Sequence, residues 1–195
     1  MRIVGGRLRG RALVTPKEDK VRPTSDRVRE AIFNILEHGI SDFSIDGTNV
    51  LDLFAGTGAL GIEALSRGAA QGVFVDNAAT SRALLQENFQ ALGLGGITTL
   101  YRRSAIDLGA AYRKLSFQLI FADPPYGQAL ATKAIAAAIG NGWLSDGAVI
   151  VIEETADTDI ELPPECHILD QRRYGSTQVL IAKYTATDES TVDQT

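Results

Sequence analysis

Asp123-Pro124-Pro125-Tyr126 directly follows the apolar run Ile120-Phe121-Ala122. Each residue of that turn suits a chemical task. Two consecutive prolines fix their own φ and push the preceding residue extended, so the turn is rigid before any ligand arrives. A rigid turn can present the Asp123 carboxylate and the Pro124 carbonyl as two fixed acceptors. Two acceptors facing one point match an NH2 group, which has two donors. Tyr126 adds a flat ring on which an aromatic base can stack.

A second constellation lies upstream. Ala55-Gly56-Thr57-Gly58-Ala59-Leu60-Gly61 follows the apolar run Asn49–Phe54, and Asp76 lies about 20 residues on, the spacing of a dinucleotide-binding fingerprint. Asp52 separates the possible ligands. It precedes the glycine loop on the face opposite Leu51 and Leu53. A carboxylate there sits badly with a pyrophosphate but well with an ammonium or sulfonium group. S-adenosylmethionine carries both cations and no phosphate. Asp76 suits either ligand, since each has a ribose whose hydroxyls can donate to it. Gly56 and Gly58 let the backbone approach the ligand closely.

These residues need a frame that brings strand ends together. From residue 49 onward short apolar runs alternate with helical periodicity. Strands are predicted at 49–54, 72–76, 97–102, 118–122 and 148–152, with helices over 58–67 and 78–91. Such alternation predicts parallel crossovers with helices on both faces of the sheet. His167–Tyr174 and Thr177–Tyr184 flank Gly175-Ser176, a hairpin signal. The expectation is a Rossmann-like α/β fold: a mostly parallel seven-stranded sheet closed by an antiparallel C-terminal hairpin. Residues 1–48 differ in character. A small N-terminal hairpin is expected, then a helix after Pro23 capped by Thr24 or Ser25, with Val28, Ala31, Ile32, Ile35 and Leu36 as its buried stripe. The expected division is 1–48 for this basic hairpin and helix, 49–184 for the main domain, and 185–195 for a disordered tail.

The 195 residues suffice for one domain with a sizeable core. The lone Cys166 excludes an internal disulfide framework, and two distant histidines argue against a metal site. No apolar run is long enough to span a membrane and no signal peptide is evident, so a cytoplasmic protein is expected. The net charge of −5 conceals an asymmetry: residues 1–29 carry +6 and the remainder −11. A basic arm that meets an anion, with Arg7, Arg9, Arg11, Lys17 and Lys20 as its candidate phosphate contacts, or a solvated N-terminal face is the implication.

The chain resembles the class I amino-methyltransferases through Asp52-Leu-Phe-Ala-Gly-Thr-Gly58 and Asp123-Pro-Pro-Tyr126. Within that class it is similar nearly end to end to the RsmD family of small-subunit ribosomal RNA guanine methyltransferases. Met1-Arg-Ile-Val-Gly-Gly6, the run from Arg22 to Leu36, and Arg173-Tyr-Gly-Ser-Thr177 carry that closer likeness. The resemblance implies methyl transfer from S-adenosylmethionine to the 2-amino group of a guanine in 16S rRNA or the small subunit. It implies Asp123, Pro124, Pro125 and Tyr126 as catalytic. For the cofactor it implies Asp52, Ala55, Gly56, Thr57, Gly58, Asp76, Asn77, Ser104 and Ala105. Many relatives place an acid after the third strand to hold the adenine amino group; here Arg103-Ser104-Ala105 stands instead, leaving Ser104 or a backbone amide for that contact. Arg22, Thr24 and Arg27 lead the first long helix, where one of them can pair with the methionine carboxylate. A monomer without metal is expected. An adenine methyltransferase, or an idle RNA-binding assembly factor that keeps the fold, is the alternative.

Overall fold

The computed structural model describes residues 1–16, 26–111, 115–125 and 129–187. Its centre is a seven-stranded sheet in the order β3-β2-β1-β4-β5-β7-β6. The strands are β1 (Asn49–Asp52), β2 (Gln71–Val75), β3 (Thr98–Tyr101), β4 (Phe117–Ala122), β5 (Leu144–Thr155), β6 (Cys166–Tyr174) and β7 (Thr177–Tyr184). The first five run parallel. β7 is antiparallel to both β5 and β6, and its hairpin with β6 turns at Gly175-Ser176 as the sequence predicts.

Helices cover both faces. The helices are α1 (Asp26–His38), α2 (Ala59–Ser66), α3 (Ala79–Leu92) and α4 (Leu130–Gly140). Val50, Phe74, Leu119, Phe121, Val151 and Ile181 on one sheet face share a core with α1, α2, α3 and the first residues of the chain. Leu51, Val73, Ile120, Ile150 and Leu180 on the other face pack with α4 and Trp143. Strand residues alternate between two buried faces, which is why the strands read as continuous apolar runs.

The strand order reverses at β1, which pairs with β2 on one side and β4 on the other. Ligands in open α/β sheets bind beyond the carboxyl ends of strands at such a switch point. Asp52 is in register with both Phe74 and Phe121. The turns after β1, β2 and β4 therefore leave the sheet side by side.

Two details depart from the sequence reading. β5 begins at Leu144, not at residue 148, because Ser145-Asp146-Gly147 forms an irregularity within the strand, with Gly147 at φ +74°. The buried face of α1 comprises Arg29, Ile32, Phe33 and Leu36, whereas Val28 and Ile35 are only partly buried. The small N-terminal hairpin is present as expected: a single Arg2–Ala12 bridge closes around a 3-10 turn at Gly6–Leu8. Its pairing is completed by Ile3 N–H to Arg11 O (3.0 Å) and Leu13 N–H to Met1 O (3.2 Å). The expected cap of α1 at Thr24 or Ser25 lies outside the described residues, as do 188–195 of the expected tail.

A buried ionic cluster holds this arm down. Glu63 of α2 is fully buried and accepts from Val4 N–H (2.9 Å), Gly5 N–H (2.7 Å) and Arg67 Nε (2.9 Å). Arg29 of α1 is equally buried, lies 3.5 Å from Glu63, and bonds Asp26 and the Arg2 carbonyl. Its charge is therefore spent on the fold. Of the basic residues in the first 29, it does not belong to an anion-facing surface.

Candidate active site

A cavity of about 610 Å³ opens at the carboxyl edge of the sheet. Three turns line it: Leu53, Phe54 and Gly56 after β1, Asp76 to Ala78 after β2, and Asp123 to Pro125 after β4. The loop Arg103–Ile106 after β3 closes the far side, and Ser81 and Leu130 contribute from α3 and α4. Both constellations named from sequence thus share one hollow.

The glycine loop is built by backbone geometry. Gly56 and Gly58 have φ of +54° and +80°, in the region that favours glycine. Their directions differ. A Cβ on Gly56 would meet nothing nearer than the Phe54 carbonyl at 3.9 Å, so this residue leaves open space beside the cavity. A Cβ on Gly58 would lie 2.7 Å from Leu85 Cδ2 and 2.9 Å from Ile62 Cδ1. Gly58 therefore serves close packing beneath the loop. Gly61 does the same between α2 and the sheet, where a Cβ would strike the Phe74 ring at 2.4 Å.

Both glycine amides of the loop are already engaged. Gly56 N–H donates to Asp76 Oδ2 (2.9 Å), and Gly58 N–H to the Ala55 carbonyl (2.6 Å). Gly61 N–H, in the first turn of α2, donates to Asp52 Oδ2 (3.1 Å). In dinucleotide-binding folds that helix terminus receives the pyrophosphate. Here a carboxyl group occupies it from below.

Asp52 does not line the cavity. It is 2 % exposed on the α2 side of the sheet, opposite Leu51 and Leu53 as expected. Burial pushes its carboxyl up to about 7, with the Gly61 hydrogen bond opposing the rise and nearby Asp76 adding to it. Asp76 sits at the rim. Its Oδ1 accepts from Ala78 N–H at 2.8 Å while Oδ2 holds Gly56. One carboxylate thus fixes the β2–α3 turn and the glycine loop together. Arg82 on the next turn of α3 donates to the Asn77 carbonyl at 2.7 Å and reinforces that turn.

Of the residues expected around the cofactor, Gly56, Asp76, Asn77, Ser104 and Ala105 line the cavity. Ala55, Thr57 and Gly58 belong to the loop without lining it, and Arg27 is exposed on α1. Arg22 and Thr24 lie outside the described residues. Of the expected catalytic residues, Asp123, Pro124 and Pro125 line the cavity, with Pro124 buried and Pro125 exposed, and Tyr126 lies outside the description. Arg7, Arg9 and Arg11 are exposed, whereas Lys17 and Lys20 are not described. Phe54, Ser81 and Ile106 were missed. Nothing in the sequence marked Ile106, whose 45 % exposure beside the cavity is set by the folded loop. Arg103 turns inward to its own loop, donating to the Leu108 carbonyl and lying 5.7 Å over the Tyr101 ring.

A family model described as Conserved hypothetical protein 95 matches residues 1–183. Ribosomal RNA small subunit methyltransferase D of Escherichia coli (strain K12) is 37% identical over 165 residues, covering 84% of this chain and 79% of that protein. The chain belongs to the RsmD family. A further family relative is the Putative rRNA methyltransferase YlbH of Bacillus subtilis (strain 168), 36% identical over 188 residues, or 94% of this chain and 98% of that one. Among solved structures, the putative methyltransferase yhhF from Escherichia coli superposes with a TM-score of 0.81 at 31% identity, covering 96% of this chain and 99% of its own. The RsmD-family sheet, seven strands with an antiparallel end, is the class I methyltransferase fold.

No group of three or more His, Cys, Asp or Glu among the described residues could hold a metal ion. No described helix is long and apolar enough to cross a membrane.

Proposed function

We propose that the protein transfers a methyl group from S-adenosylmethionine to the 2-amino group of a guanine in 16S rRNA. The observation that carries this reading is that Asp123-Pro124-Pro125 and the Gly56–Asp76 loop line one cavity. A donor site and an acceptor site in one hollow suit direct transfer between two ligands.

The residues present fit this methyl donor better than a dinucleotide. Asp76 offers acceptor oxygens at the rim for ribose hydroxyls. Gly56 leaves room for close approach. The first turn of α2, already taken by Asp52, has no call for a phosphate. Ser104 and Ala105 line the same cavity, and the adenine is assigned to them. When bound, S-adenosylmethionine supplies a methyl group made electrophilic by the attached sulfonium.

The chain's own residues prepare the other reactant. A guanine 2-amino lone pair is delocalised into the ring and is a poor nucleophile. The Asp123 carboxylate and the Pro124 carbonyl accept its two N–H groups and draw the nitrogen toward tetrahedral geometry, which frees the lone pair. That lone pair would take the methyl group, whose C–S bonding pair would stay on sulfur. The surplus proton departs from nitrogen afterwards. Tyr126 stacks on the base. Positioning and preorganised acceptors provide the catalysis. Arg7, Arg9 and Arg11 hold RNA phosphates, and the guanine is presented unpaired, since A-form pairing buries its edge. The protein acts in the cytoplasm as a monomer.

The test is transfer of a tritiated methyl from S-adenosylmethionine to 16S rRNA, free or in small subunits. Label on a guanine supports the reading. Label on adenine points to an adenine methyltransferase, and cofactor binding with no transfer to any RNA points to an idle assembly factor.

A further inference from the structure

Asn88 of α3 is 1 % exposed, yet it touches neither the cavity nor solvent. Its Oδ1 and both Nδ2 hydrogens are engaged, on two separate segments. Oδ1 accepts from Val14 N–H at 2.7 Å, and Nδ2 donates to the Val14 carbonyl at 3.2 Å. The second Nδ2 hydrogen goes to the Thr57 carbonyl at 2.9 Å. Thr57 lies between the two glycines of the loop. Val14 is the last part of the N-terminal arm before the chain runs on toward Lys17 and Lys20.

An unremarkable core would place an apolar residue there. A buried amide is retained at a cost unless all of its partners are present. With each partner in place, moving Val14 leaves Asn88 with an unsatisfied acceptor and donor, and moving the loop leaves it with an unsatisfied donor. The two segments therefore share one free energy. Other contacts run the same way. Met1 Sδ lies 3.9 Å from Thr57 Oγ1, Arg11 donates to the Ala91 carbonyl of α3 at 2.7 Å, and Leu85 of α3 packs against Gly58.

We infer that Asn88 is a positioning residue through which the seating of the basic N-terminal arm sets the glycine loop, so that RNA on the arm and cofactor at the loop strengthen each other's binding. The coupling rests on the reading of the cavity as a cofactor site. It is reciprocal by linkage: whatever factor RNA adds to cofactor affinity, cofactor adds to RNA affinity.

The first test needs no ligand. Amide hydrogen exchange at Gly56 and Gly58 is compared in the parent, Asn88→Ala and Val14→Pro. The proline removes the arm-side donor while leaving α3 and the loop unaltered. Both variants should exchange roughly two- to tenfold faster at the loop, the range expected for one lost hydrogen bond. The second test measures S-adenosylhomocysteine affinity with and without 16S rRNA. In the parent RNA should tighten it several-fold, and in both variants the ratio should fall toward one. A merely structural Asn88 would weaken both affinities and keep the parental ratio, which would overturn the inference. So would parental loop exchange in Val14→Pro, the variant that decides the matter if Asn88→Ala does not fold. Failure of the parent to bind S-adenosylhomocysteine would instead refute the proposed function, leaving the exchange comparison to judge the link between arm and loop.

Discussion

Asp123 and Asp52 are both carboxyl groups near one cavity, and their surroundings give them opposite tasks. Asp123 is half-buried on the cavity wall at the end of β4. If it accepts from the amino group as the nitrogen pyramidalises, its contribution lies mainly in the transition state. Asp123→Ala should then bind cofactor and RNA nearly as the parent does while single-turnover methylation falls roughly 100- to 1000-fold. Asp123→Asn should lie between them, since one acceptor oxygen remains. Parental turnover in the alanine variant would remove Asp123 from the chemistry. Asp52 is a different case. Its carboxyl is pushed up to about 7 by burial, against 3.8 for an ordinary aspartate. The native chain therefore holds a proton that the unfolded chain has released across that window. The stability this group contributes is complete below pH 4 and is lost as pH rises through 7. Urea denaturation should show the parent losing on the order of 2 kcal/mol more than Asp52→Asn between pH 5 and pH 8. Parallel stability profiles would show that Asp52 does not titrate there. The sequence placed Asp52 on the correct sheet face through simple alternation. It could not show that the nearest donor is an amide of α2, because that depends on how closely Gly61 lets the helix approach.

At the scale of elements, the glycine loop and the arm are held by parts the sequence announced unequally. The G-x-G-x-x-G spacing was legible because Gly56 and Gly58 adopt φ values that favour glycine and Gly61 packs closely on the Phe74 ring. The different directions of Gly56 and Gly58 were not, since they depend on where α3 packs. Gly58→Val should destabilise the protein by about 2–4 kcal/mol through backbone strain and overpacking against Leu85 and Ile62, visible as a lowered denaturation midpoint. Gly56→Val should keep more of its stability and lose cofactor affinity. Equal stability of the two variants would contradict this division. The ionic cluster of Arg29, Glu63 and Arg67 was hidden for another reason. Arg29 stands in a basic stretch and Glu63 in an apolar helix, and nothing local signals that they meet. Removing one member leaves a buried charge uncompensated. Glu63→Gln should cost about 3–5 kcal/mol and free residues 4 and 5, which exchange measurements at Val4 and Gly5 would report. Unchanged stability would mean that the arm is held by its other contacts, the burial of Ile3 and Leu13 and the Asn88 bonds to Val14.

For the whole molecule, alternating apolar runs and helical periods predicted the doubly covered sheet, and the Gly175-Ser176 turn predicted its antiparallel end. The bulged start of β5, at a glycine where spacing says little about pairing, and the partly buried Val28 and Ile35 of α1 departed from that reading. Charge separates along the chain as well, with a positive arm on an acidic body. Arg7, Arg9 and Arg11 are exposed on that arm, which the buried cluster and Asn88 fasten to α2 and α3. Reversing all three to Glu should weaken RNA binding and flatten its salt dependence while sparing cofactor affinity in the absence of RNA. A parental salt slope would return these arginines to an ordinary solvated surface. The proposed activity itself is tested most directly by mass-spectrometric mapping of 16S rRNA after incubation with the protein and S-adenosylmethionine. One guanine bearing a methyl on its 2-amino nitrogen, absent with Asp123→Ala, is the result expected. A methyl group on any other base or atom, or none from protein that demonstrably binds the cofactor, would contradict it.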